Sequence, residues 1–214
     1  MKIKEFRGYE DVYPEKIVGT DQWFYGQCTP CSEAYEVSGF NGNYPGTRLY
    51  LFNINGNIFE PVKQEKNVFL EKPAYNIDRE SFGIVRNDFN KAIIQVIEYR
   101  IRSQETIVLT ELLMSKAGDM INVRIITDPY MLVKHDIHND AIDFLWPIER
   151  RYQFEENESL DFMYEDKLFT SKWIEDPDYR EEVIIREKST GEVIERKPGY
   201  MVTMPDGSRW IMTR

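Results

Sequence analysis

Two cysteines and two histidines make up the chain's whole supply of thiol and imidazole ligands, and each pair is spaced three residues apart. Cys28 and Cys31 stand in CTPC, and His135 and His138 stand in HDIH. A Cys-x-x-Cys turn brings two thiolates to the ~2.3 Å at which they bind zinc, and two imidazoles complete a tetrahedron. Classical zinc motifs keep the two pairs close in sequence, whereas a long stretch of chain separates these. The reading adopted is therefore that the four act independently, the cysteines as small buried hydrophobes and the histidines in a solvated turn. A structural zinc site from Cys28, Cys31, His135 and His138 is the alternative.

Two further chemistries start from the same segments. Cys-x-x-Cys becomes redox-active when it opens a helix, because the helix N-terminus lowers the first thiol's pKa. Here SEAYEVSGF follows and reads as an extended strand, which argues against reductase or isomerase chemistry. Asp136, Asp140 and Asp143 crowd the histidines in HDIHNDAID, where an Asp/His cluster suits a divalent cation or acid–base work on a sugar. The sequence holds no glycine-rich phosphate loop, no GxSxG elbow and no HExxH. No catalytic residue and no cofactor is assigned.

These residues are positioned by a chain built from hairpins. Runs rich in Val, Ile, Tyr, Phe and Thr are separated by short turn signals, the pattern of antiparallel strands. Asn55-Gly56 reads as a two-residue turn between strands at 49–54 and 57–62. Other reversals are expected at Asp88 to Lys91, Glu165-Asp166, Thr190-Gly191 and Pro205-Asp206-Gly207. ETIVLTELL suits a strand better than a helix because its front half is β-branched. Loops this short leave no room for crossover helices, which excludes parallel βαβ units. The aromatic residues, such as Trp23, Tyr25, Trp146, Trp173 and Trp210, mostly fall within strands, where core packing is expected; an exposed subset forming a sugar-stacking platform is the alternative.

From Leu160 the order is strand LDFMY, strand KLFTSKWI, strand EEVIIRE, strand EVIER, a four-stranded meander, after which GYMVTMPDGSRWIMT reads as the start of another unit. A similar rhythm runs from Asn67 to Tyr99. Unit starts near Ala74, Tyr130, Asp161 and Met201 bracket the ~40 to 45 residues of a propeller blade. In this rhythm the sequence resembles the β-propeller repeat proteins, although it has no WD dipeptide, Gly-His pair or kelch-type diglycine. The resemblance implies an all-β fold of four to five small or incomplete blades, with an irregular sandwich or barrel as the alternative, in one domain over 1–214.

Composition narrows the function. A hydrophobic fraction of 42% with 14% aromatic residues excludes a disordered chain. A net charge of −10 disfavours nucleic acid and anionic membrane, which bind through Lys and Arg. No apolar run reaches the ~20 residues of a membrane span, and MKIKEFRGYEDVYPEK lacks the apolar core of a signal peptide, so a cytoplasmic protein is expected. That segment is expected to hold a short turn of helix at most. The leading expectation is a non-catalytic module that binds another protein or a small ligand. The alternative is a metal-dependent or carbohydrate-active protein using His135, His138 and the aspartates.

Overall fold

The computed structural model describes residues Ile3 to Thr213. The chain is all-β and propeller-like, with its strands in four antiparallel meanders that follow sequence order. It divides into two compact units, Met1–Met120 and Ile121–Arg214, each holding two meanders. Among the described residues no helix is long and apolar enough to cross a membrane.

In the first unit, one sheet contains β1 (Glu15–Lys16), β2 (Trp23–Cys28), β3 (Arg48–Asn53) and β4 (Ile58–Phe59). The second contains β5 (Val68–Leu70), β6 (Ala74–Asn76), β7 (Ser81–Asp88), β8 (Ile93–Arg100) and β9 (Glu105–Leu113). Alternation decides the packing, because successive strand residues face opposite sides. Tyr25, Leu49 and Leu51 of the first sheet meet Val68, Leu70, Phe82, Ile84 and Ile97 of the second in one core. Every residue of β7 is buried, whereas β9 shows exposed positions at the sheet edge. β5 and β6 both pair with β7, one at its C-terminal end and one at its N-terminal end. They form a single edge strand interrupted at Glu71-Lys72-Pro73, where proline has no N–H for the ladder.

In the second unit, the third sheet contains β10 (Val123–Ile126), β11 (Met131–Asp136), β12 (Ala141–Trp146) and β13 (Arg150–Gln153). The fourth contains β14 (Glu158–Tyr164), β15 (Lys167–Ile174), β16 (Arg180–Glu187), β17 (Val193–Thr203) and β18 (Arg209–Thr213). Val133, Ile142, Phe144 and Tyr152 pack on Leu160, Met163 and Leu168 to join the two sheets. Within this core Glu158 and Arg186 form a bidentate ion pair at 2.6 and 2.7 Å. Thr170 Oγ1 also donates to Glu158, and the Arg186 guanidinium lies 5.2 Å from the Phe154 ring centre. Every charge of this buried pair therefore has a partner, as burial demands.

Several expectations need correction. SEAYEVSGF is no strand: Ala34–Phe40 is a 3-10 helix, opened by a capping box between Glu33 and Glu36 and closed by Asn41 at φ 50°. The capping residues outweigh the aromatic content that suggests extension. The hairpin at Asn55-Gly56 exists, but its connection runs from Ile54 to Asn57. Gly56 N–H closes onto Asn53 O at 2.7 Å, and Gly56 then takes φ 94°. No new unit starts at Met201, which lies inside β17. Gly199 just before it takes φ 126°, and a Cβ there would stand 1.9 Å from Met212 O. β17 pairs first with β16 and then with β18. The opening segment shows a turn at Glu10-Asp11, and its first two residues, Met1 and Lys2, lie outside those described.

Candidate functional site

Cys28 ends β2 in the first unit, and Cys31 is buried just beyond it with its backbone N–H on Thr29 Oγ1 at 3.1 Å. Burial, with Glu36 adding to it, raises the Cys31 thiol's pKa, the wrong direction for a nucleophile or a ready metal ligand. His135 and His138 belong to the second unit, His135 within β11 and His138 in the turn that follows. Among the described residues no three His, Cys, Asp or Glu side chains are grouped as a metal site requires.

The aspartates of HDIHNDAID have a different employment. His135 and Asp136 are consecutive strand residues and face opposite sides of the sheet. Asp136 Oδ2 meets Arg151 Nη2 at 2.7 Å, and Asp143 meets Arg151 Nη1 at 2.8 Å. Cross-strand pairing of Asp143 with Arg151 puts this network on the face of Lys134 and Asp136. The Arg151 and Asn139 hydrogen bonds hold the Asp136 carboxyl down to about 2. It is a permanently charged strut, unsuited to passing protons at neutral pH.

His135 lies on the other face, two residues beyond the buried Val133, and Arg124 is the cross-strand partner of Val133. Burial lowers the pKa of His135, Arg124 lowers it further, and Asp140 and Asp136 pull the other way. Arg124 donates from Nη2 to the carbonyl of Leu160. Leu160 pairs with Thr170 and Phe162 with Phe169, so the residue between them, Asp161, is the extra residue of a β-bulge. Bulges re-aim side chains, and here Asp161 Oδ2 accepts from Ser171 Oγ at 2.5 Å. Burial raises the Asp161 pKa, and Ser171, Arg124 and Arg209 oppose the rise. Arg209 rides 4.4 Å above the Phe162 ring, which stacks on Phe169 at 4.6 Å, and lies 3.6 Å from Asp128.

The first unit carries its own unusual carboxyl. Glu71 sits in the break between β5 and β6, where its carboxylate accepts from Asn87 Nδ2 at 3.0 Å. Burial pushes its pKa up to about 8, with Asn87 opposing and Glu33 adding. Asn87 is fully buried, and its Oδ1 has no hydrogen-bond partner among the described residues. The Tyr44 hydroxyl lies between Thr29 Oγ1 at 2.6 Å and Thr47 Oγ1 at 2.7 Å.

The surface holds a feature that strand membership hid. Trp23 and Tyr25 are core residues as expected, but Trp173 and Trp210 are exposed. In the β17–β18 hairpin Tyr200 faces Met212 and Val202 faces Trp210 across the ladder. All four side chains are apolar or aromatic and share one face. Tyr200 is 48%, Trp210 51% and Met212 41% exposed. The opposite face carries Arg209, which holds the hairpin to Phe162.

No protein-family model and no curated protein sequence matches the chain. Among solved structures it is similar to a chain in the crystal structure of a mitotic checkpoint complex, with 12% identity and a TM-score of 0.44. The match covers 92% of this chain and 60% of that one, so the chain spans less than two thirds of its neighbour's length.

Proposed function

We propose that the protein is a non-catalytic module that binds another protein through the exposed face of the β17–β18 hairpin. The observation that carries this reading is the cross-strand quartet Tyr200, Val202, Trp210 and Met212. Trp and Tyr are the residue types that dominate binding energy at protein interfaces. A contiguous apolar patch on a folded surface marks an interaction site more often than chance exposure does. The hairpin offers the quartet on a paired β-ladder anchored through Arg209, so little ordering is needed on binding. The chain's net charge of −10 disfavours a polyanionic partner such as nucleic acid.

A combined Tyr200→Ser, Trp210→Ser, Met212→Ser variant tests the reading. In extracts of the source cells, the native chain is expected to elute from size exclusion in a larger assembly. The variant, folded by circular dichroism, is expected to elute at the mass of the free chain. Identical elution of the two would reject the hairpin as the binding face.

A further inference from the structure

The geometry points to an oxyanion-binding site in the second unit, built from the guanidinium groups of Arg124, held at the Leu160 carbonyl, and Arg209, held over the Phe162 ring, next to the bulge residue Asp161. A guanidinium carries five N–H donors. Arg124 spends one on the Leu160 carbonyl, and among the described residues no carboxylate lies within ion-pair distance of it. Protein crowds the group enough for burial to lower its pKa, with Asp161 opposing, yet the residue remains exposed. Because the side chain is exposed, its remaining donors are open to an anion from solvent, which a guanidinium fork pairs through two parallel hydrogen bonds.

Arg209 differs in having a carboxylate partner. It forms an ion pair with Asp128 at 3.6 Å, longer than a hydrogen bond, and its plane is fixed by the Phe162 and Phe169 stack. Both guanidiniums act on Asp161 electrostatically, and neither forms an ion pair with it among the described residues. Asp161 is instead occupied by Ser171 Oγ. It therefore serves as a counter-charge that keeps two like charges together without filling their forks. Planar forks match the paired oxygens of a phosphoryl or carboxylate group, each fork giving two parallel hydrogen bonds. The ligand class is a small oxyanion, and neutral His135 beside Arg124 adds no competing charge.

The test uses the full chain with inorganic phosphate, and with acetate as the planar alternative, each against chloride at equal ionic strength. At a phosphate concentration ten times the dissociation constant, the unfolding equilibrium constant is expected to fall about tenfold. Arg124→Met and Arg209→Met are expected to abolish this response. Arg102→Met, at a distant ion pair with Glu80, is expected to keep it. Arg124→Lys retains the charge without the fork and is expected to bind more weakly than the native chain, which covers the case that Arg124→Met does not fold. Proton NMR gives a second readout, since an anion on Arg124 should raise the pKa of His135 and leave His138 in place. A response to acetate and not phosphate would assign a carboxylate ligand. Equal response to all three anions would overturn the site, as would a phosphate response that survives Arg124→Met and Arg209→Met.

Discussion

Replacing Glu71 with Gln keeps the shape of the side chain and its hydrogen bond from Asn87 Nδ2, and removes the ionisation. The folded carboxyl titrates near 8, against an ordinary value of 4.5. Between those values the native state holds a proton that the unfolded chain has released, so stability falls as pH rises through this window and is level above it. At 1.36 kcal/mol per pKa unit, the loss reaches about 3 kcal/mol at pH 7 and about 5 kcal/mol above pH 8. Glu71 is half-buried, so solvent screening trims the neutral-pH figure to about 2–3 kcal/mol. Glu71→Gln should therefore match the native chain near pH 4.5 and exceed it increasingly toward pH 8. Urea unfolding at pH 5, 6, 7 and 8 reads the difference directly. A stability difference that stays constant across this series, or a variant weaker at every pH, would refute the assignment of Glu71 as a desolvated carboxyl.

Three further outcomes follow from the packing. Arg186→Met strands the buried Glu158 carboxylate and should cost about 3–5 kcal/mol in urea unfolding, much of it regained in the Glu158→Leu, Arg186→Met double variant. Gly199→Ala forces a Cβ onto Met212 O. It should cost about 1–3 kcal/mol and raise amide exchange across 199–213 while β14 to β16 stay protected. Protein purified without chelator or affinity-tag metal should carry no stoichiometric zinc. About one zinc per chain, lost in both Cys28→Ser and His135→Ala, would show that the four residues do form a site.

The meanders were readable because hairpin turns announce themselves. Glu165-Asp166 joins Tyr164 to Lys167, and Pro205-Asp206-Gly207 reverses β17 into β18, both where turn chemistry predicts. ETIVLTELL is a strand, as its β-branched half requires. The 3-10 helix at Ala34–Phe40 escaped notice because its signal is a capping exchange between Glu33 and Glu36, with no helical periodicity behind it. The exposed tryptophans escaped for a related reason. A strand pattern fixes which residues share a face, whereas covering of that face depends on whether another sheet lies against it. The sequence spacing of Arg124, Asp161 and Arg209 carries no signal either, since they lie on β10, β14 and β18, and only tertiary packing puts Arg124 at the Leu160 carbonyl and Arg209 over Phe162. Asp136 and Asp143 read as a dense acidic segment in sequence, but their partner Arg151 lies on β13 and reaches them only through cross-strand pairing.

Contact between the Trp210 face of the hairpin and another protein can be read by cross-linking. Placing a photoreactive phenylalanine analogue at position 210 in the source cells, and at the exposed Tyr13 of the first unit as control, tests it most directly. One discrete covalent adduct is expected from position 210, lost with Tyr200→Ser and Met212→Ser, and none of that mass from position 13. Absence of any adduct at 210, or the same adducts from both positions, would contradict such contact.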